Sequence, residues 1–143
     1  MKKVLFICTG NTCRSPMAMA IFNYIAKSKA VSWQADSAGL AAFGDHVNEK
    51  SVNALEKVGI KGFSYTSKPV NLELLDKSDL IIAMETTHKT VLQYSVGINE
   101  QKLMVLGDGI PDPYGSDDDT YFECLKTIKA EILNLFDRGV FND

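Results

Sequence analysis

The chain reads as apolar runs alternating with amphipathic stretches. Val4-Leu5-Phe6-Ile7 is a continuous apolar run behind two lysines, the pattern of a strand buried on both faces. Met17, Ala20, Ile21, Tyr24 and Ile25 then recur at helical spacing, predicting a helix over 16–27. Ser15 suits its N-cap and Pro16 its first helical position. Val31, Trp33 and Ala35 alternate with polar residues and predict a strand over 31–35, ended by a turn at 36–39. Asn48 predicts the cap of a helix carrying Val52, Leu55 and Val58 and stopped by Gly59. A short helix is expected after Asn71, a buried strand at 80–84, and a helix from Thr86 or Thr87. A fourth strand is expected at 102–106. A final helix is expected over 120–137, with Phe122, Leu125, Ile128, Ile132, Leu135 and Phe136 as its stripe.

Strands alternating with helices predict an α/β fold: one three-layer domain over 1–143, a four-stranded parallel sheet flanked by helices. Any site then belongs at the carboxyl ends of the strands. With 143 residues and a net charge of −3, the chain has room for a sizeable core and no basic footprint for nucleic acid. No apolar run approaches a membrane span, and the N-terminal run is too short for a signal peptide. Three cysteines make no paired framework, so a reducing cytoplasm is expected.

The chemistry concentrates between the first strand and the first helix, in Cys8-Thr9-Gly10-Asn11-Thr12-Cys13-Arg14-Ser15-Pro16. A loop entering a helix, with Gly10 near its middle, can converge backbone N–H groups on an anion, and the helix dipole adds positive potential. Cys8 is expected at the floor of this loop, where N–H groups and Arg14 should let its thiol ionise easily. Arg14 can grip two phosphate oxygens, and Ser15 can donate to the sulfur. A thiolate in an oxyanion cradle is equipment for attack on phosphorus. A second stretch, 107–119, is a long Gly- and Pro-rich loop with five aspartates. Pro113 stiffens Asp112, which is preferred over Asp108 as general acid; beside a thiolate and a phosphate dianion its carboxyl should resist ionising.

CTGNTCRSP resembles the signature loop of the low-molecular-weight protein tyrosine phosphatases, including their bacterial protein-arginine phosphatase branch. The resemblance runs through the chain, and Asp112-Pro113-Tyr114 matches the family's acid loop. It implies hydrolysis of phosphorylated protein side chains through a cysteinyl-phosphate, releasing inorganic phosphate, with no cofactor or metal. It implies Cys8, Arg14 and Asp112 as catalytic residues and 9–15 as the phosphate-binding loop. Ser37 is then a support for Asn11, whose left-handed bend it would hold; without the resemblance it is a plain turn serine. Cys13 would trap an oxidised Cys8 as a disulfide, or simply pack the loop. Phe43 either lines the cleft mouth or anchors its loop in the core, and Tyr114 is expected as a cleft wall.

Thr12 bears on the substrate. Tyrosine-specific relatives usually have Ile or Leu there, and arginine-phosphate phosphatases have Thr. Phosphotyrosine is the family's default, and phosphoarginine stands beside it as the alternative. The chain departs from the family at Tyr65, where many relatives carry a supporting His three residues before a Lys or Arg. An arsenate reductase of the same fold needs two further cysteines, and only Cys124 follows the loop, expected in or beside the core. A phosphocarrier domain would not need Arg14 or Asp112, and a non-catalytic phosphate-binding module could dispense with Cys8 and Asp112. His46 and His88 are expected to be solvated surface residues.

Overall fold

The computed structural model describes residues 1–142. The elements run β1 (Lys2–Cys8), α1 (Arg14–Ser28), β2 (Trp33–Gly39), α2 (Glu49–Lys57), α3 (Leu72–Lys77), β3 (Leu80–Ala83), α4 (Thr86–Thr90), β4 (Leu103–Val105) and α5 (Asp118–Asp137). The four strands form one parallel sheet in the order β2-β1-β3-β4. The α/β expectation holds, and its reason is visible in β1. Val4, Phe6 and Cys8 face a core built with α1 and α5, whereas Leu5 and Ile7 face a second core with Leu75 and Leu92. A strand buried on both faces needs apolar residues at every position, which is why Val4 to Ile7 carries no polar one.

Strand order fixes where a site can lie. From β1 the chain goes to one side for β2 and to the other for β3. The carboxyl ends of β1 and β3 therefore flank the crevice where the winding reverses. Four segments leave the sheet at this edge: the loop after β1, the connection from β2 to α2, the turn from β3 into α4, and the long connection from β4 to α5.

Two elements differ from expectation. β2 does not end at residue 35 but runs to Gly39, in register with all of β1 from Lys2↔Trp33 to Cys8↔Gly39. Its polar residues are tolerated because Gln34 is exposed and the other two are bonded: the Asp36 carboxylate takes Lys68 Nζ at 2.6 Å, and Ser37 Oγ takes Asn11 Nδ2 at 3.0 Å. Ser37 is thus a strand residue rather than a turn residue. α1 starts at Arg14 with Cys13 before it and no side-chain cap, so Ser15 is not the N-cap. Its hydroxyl is turned to Cys8 instead. The expected cap Asn48 accepts from the Lys50 N–H, and Asn71 caps α3 by accepting from the Leu74 N–H. α4 widens into a π turn over Val91–Val96 and ends at Gly97 in the left-handed region. Among the described residues no helix is long and apolar enough to cross a membrane.

Candidate active site

Cys8 is the last residue of β1 and is 3% exposed. Its Sγ lies 2.8 Å from Ser15 Oγ and receives the Asn11 N–H at 3.2 Å. Asn11 sits at φ 58, a left-handed bend that Asn adopts more easily than most residues. Three bonds hold it: Nδ2 donates to Ser15 Oγ (2.8 Å) and Ser37 Oγ (3.0 Å), and Oδ1 accepts the Lys68 N–H (3.0 Å). The expected tie between Ser37 and Asn11 is present. Tyr65, where the chain departs from the family pattern, donates its hydroxyl to the Ser37 carbonyl at 2.8 Å.

Arg14, on the first turn of α1, is 2% exposed. Its guanidinium donates to Glu85 Oε1 at 2.6 Å and to the Ile110 carbonyl at 2.8 Å, and stands 3.7 Å from Asp112 Oδ2. It is therefore oriented from the β3–α4 turn on one side and the β4–α5 connection on the other. Burial alone would raise the Glu85 pKa, but the bond and charge of Arg14 override it and hold the carboxyl below the usual carboxylate range.

Cys8, residues 9–14, Asp112 and Tyr114 line one cleft of about 270 Å³ together with Asp45. Ser15 and Ser37 stand behind it as buried supports. Phe43 is the exception. It is 84% exposed, so it is no core anchor, and it does not line the cleft; beyond the turn at Gly44 (φ 82) Asp45 occupies the rim instead. Cys13 is buried, with Sγ 3.2 Å from the Tyr121 hydroxyl. Cys124 is half-buried behind the acid loop, and burial pushes its thiol up to about 12. His46 is exposed and bridges Val47 O and Ser64 Oγ, both at 3.1 Å.

Two opposing influences act on the Cys8 thiol. Burial pushes it above its ordinary value, and Ser15, Arg14 and Asn11 offset this only in part. A thiolate with 3% exposure has little water, so these donors and the N-terminus of α1 must carry its charge. The expectation for His88 is corrected. It is no surface residue but 4% exposed, with Nε2 2.9 Å from Thr9 Oγ1.

Sequence reasoning missed four participants. Glu85 was legible as an acid directly after a buried strand at its carboxyl end. Tyr121 lies four residues before Leu125 on the stripe of α5 and is 1% exposed. Gly39 has no side-chain signal, yet a Cβ there would come within 2.5 Å of the Thr9 carbonyl and 3.0 Å of Asn11 Cβ. Asp45 had no pattern to mark it.

A buried thiol in a curled loop at the switch point of a parallel α/β sheet places the protein in the class of the cysteine-dependent phosphatases. The sequence matches the low molecular weight phosphotyrosine protein phosphatase family over residues 3–140, and the chain belongs to that family. It is 33% identical over 126 residues to a protein-arginine-phosphatase of Bacillus subtilis (strain 168), covering 82% of this chain and 83% of that one. It is also 33% identical over 121 residues to the low molecular weight protein-tyrosine-phosphatase Ptp of Acinetobacter johnsonii, covering 81% and 82%. Its fold superposes with TM-score 0.91 and 29% identity on a Cys-to-Ser mutant of YwlE arginine phosphatase with a phosphorylated active-site serine, covering 98% and 97%. The protein is thus a cysteine-dependent phosphatase, a phosphoric monoester hydrolase.

Proposed function

We propose that the protein dephosphorylates protein side chains in two steps through a phosphorylated Cys8. The observation that carries this is the convergence of Cys8, Arg14 and Asp112 on one cleft, with the thiol at its floor and the carboxylate 3.7 Å from the guanidinium. Cys8 loses its proton to solvent before the substrate seats, and the thiolate attacks phosphorus, forming the S–P bond as the bond from phosphorus to the side-chain oxygen or nitrogen breaks. The backbone N–H groups of 9–14 and the Arg14 guanidinium take the equatorial oxygens. Asp112 protonates the leaving atom. It then takes a proton from water, which attacks the cysteinyl-phosphate and releases inorganic phosphate. Ser15 Oγ, 2.8 Å from the sulfur, stabilises the departing thiolate. Cys13 on the same loop is the thiol proposed to capture an oxidised Cys8. A reducing cytoplasm is the setting that keeps both thiols free, and nucleic acid is not among the proposed partners.

The favoured substrate residue is phosphoarginine. Thr12 offers a hydroxyl where a flat ring would want an apolar wall, and Asp45 puts a carboxylate at a mouth that would suit a planar, N–H-rich guanidino group. Phosphotyrosine is the second reading, favoured by Tyr114, an aromatic residue lining the cleft. The deciding measurement is kcat/KM on matched phosphoarginine and phosphotyrosine peptides under reducing conditions, with Cys8→Ser as blank. Preference for phosphoarginine, reversed by Thr12→Ile, is expected. Preference for phosphotyrosine in the wild type hands selection to Tyr114. Turnover of neither above the blank defeats the catalytic assignment.

A further inference from the structure

His88 takes no part in the two steps above, yet it is among the few polar side chains buried in the protein. Its imidazole touches both halves of the anion cradle. Nε2 lies 2.9 Å from Thr9 Oγ1, on the first residue of the loop, and 3.8 Å from Glu85 Oε2. The other Glu85 oxygen holds Arg14 at 2.6 Å. Nδ1 is buried and has no hydrogen-bond partner among the described residues. Thr9 is fixed from the opposite side by its carbonyl, which accepts the Ala41 N–H at 2.9 Å. The imidazole therefore completes the clamp on the residue that begins the curl.

We propose that His88 is a positioning residue that couples proton uptake to anion binding by the loop: neutral, it fixes Thr9; protonated, it keeps that bond as donor and shares Glu85 with Arg14. The inference rests on the reading of this loop as a phosphate cradle. The charged groups facing the ring are Arg14 from α1, Glu85 from the turn before α4, and Asp112 from the β4–α5 connection. Burial and Arg14 oppose protonation, and together they outweigh Glu85 and Asp112, so the ring lies below its ordinary value and is neutral at neutral pH. An unpartnered Nδ1 acts in the same direction, because protonation would create a buried N–H with nothing to receive it. A dianion seated on Arg14 cancels the charge that most opposes the proton. Dianion and proton then favour each other, and linkage requires the effect to be reciprocal.

Sulfate is the probe, a dianion that does not titrate between about pH 5 and pH 8. Its affinity is measured across that range by calorimetry for the wild type, His88→Gln and His88→Ala, and the imidazole titration is followed by NMR with and without saturating sulfate. Gln keeps an N–H for Thr9 and cannot take a proton; Ala removes the contact. Wild-type affinity is expected to rise about fivefold or more toward acid pH relative to His88→Gln, with the His88 pKa raised by sulfate. His88→Ala is expected to bind more weakly throughout. Parallel profiles for wild type and His88→Gln, or an imidazole titration that sulfate leaves unmoved, overturn the proposal. The NMR comparison needs only the wild type, so a variant that fails to fold does not rescue it. Absence of sulfate binding to the wild type at every pH overturns the cradle reading itself, and this inference with it.

Discussion

The two loops that meet at Arg14 are built in opposite ways. In the loop after β1, Cys8, Asn11, Arg14 and Ser15 are each at most 3% exposed, and side-chain bonds from β2, the β3–α4 turn and the segment at Lys68 hold them. In the connection from β4 to α5, Asp112 and Tyr114 are exposed. That connection is fastened by the Ile110 N–H to the Met84 carbonyl at 2.7 Å, by its carbonyl to Arg14, and by Lys50 Nζ to the Ser116 carbonyl at 2.5 Å. The contrast follows from the tasks assigned to each. A cradle for a dianion must have its donors fixed beforehand, since reorganisation at the moment of binding would cancel their electrostatic gain. An acid that first gives a proton to one atom and then takes one from water needs reach more than rigidity.

The contrast is sharpest in kinetics. Cys8→Ser should abolish turnover, a loss of about 10⁴-fold or more, while leaving the fold intact, because the hydroxyl is smaller and a poor nucleophile. Asp112→Asn should lower kcat by about 10²- to 10⁴-fold with little change in KM. A rise in KM that matches the fall in kcat would place Asp112 in substrate binding and erase the distinction between the two loops.

Asn11→Ala tests the rigid side alone. It removes three bonds, leaving the buried Ser37 Oγ with only its long contact to Met19 Sδ at 3.7 Å and the half-buried Lys68 N–H without its acceptor. A stability loss of about 2–4 kcal/mol is expected in denaturant melts, with kcat/KM reduced about tenfold or more. Unchanged kcat/KM in a properly folded variant would mean that the loop's curl does not depend on this network.

Legibility in the sequence follows the same division. The apolar runs and stripes revealed the layers because burial of whole faces leaves a period in the chain. Cys8, Arg14 and Asp112 were legible because reactive side chains stood in short motifs with turn residues beside them. The second ring of contacts was not. Glu85, Tyr121 and His88 reach the loop from distant elements: the strand end before Glu85 and the stripe that includes Tyr121 mark them as inward-facing but not as partners of this loop, and His88 carries no local mark at all. Gly39 matters only because the Thr9 carbonyl passes 2.5 Å from where its Cβ would be, a fact of β1–β2 register that no local pattern carries. β2 was cut short at residue 35 because Asp36 and Ser37 look like turn residues until their partners, Lys68 and Asn11, are known.

Glu85→Gln tests whether the fixing of Arg14 contributes to stability as well as to geometry. The Glu85 carboxyl has its pKa lowered in the folded protein, so its contribution is fully present above the unfolded value of about 4.3 and is lost as pH falls through the lower folded value. Its side chain is 35% exposed, so solvent screening trims the gain from the pair. The variant should be less stable than the wild type by about 1 kcal/mol at neutral pH, with the gap closing below about pH 4. A gap that persists unchanged into acid would assign the loss to packing rather than to charge.

The smallest effect is expected where the acid loop is latched. Lys50 projects from α2, donates to the Ser116 carbonyl at 2.5 Å and lies 6.0 Å from the centre of the Tyr121 ring. It reaches the loop only after Asp112 and Tyr114 have passed, so Lys50→Ala leaves the cradle untouched and frees one end of the segment that carries the acid. Stability should fall by only about 0.5–1 kcal/mol, the ordinary worth of one partly exposed hydrogen bond. The informative quantity is the split: kcat reduced about two- to fivefold with KM unchanged, because an acid that spends less time in position slows proton transfer and not binding. If KM rises while kcat holds, the β4–α5 connection shares in gripping the substrate, and the two loops are one rigid site rather than a fixed cradle served by a looser arm.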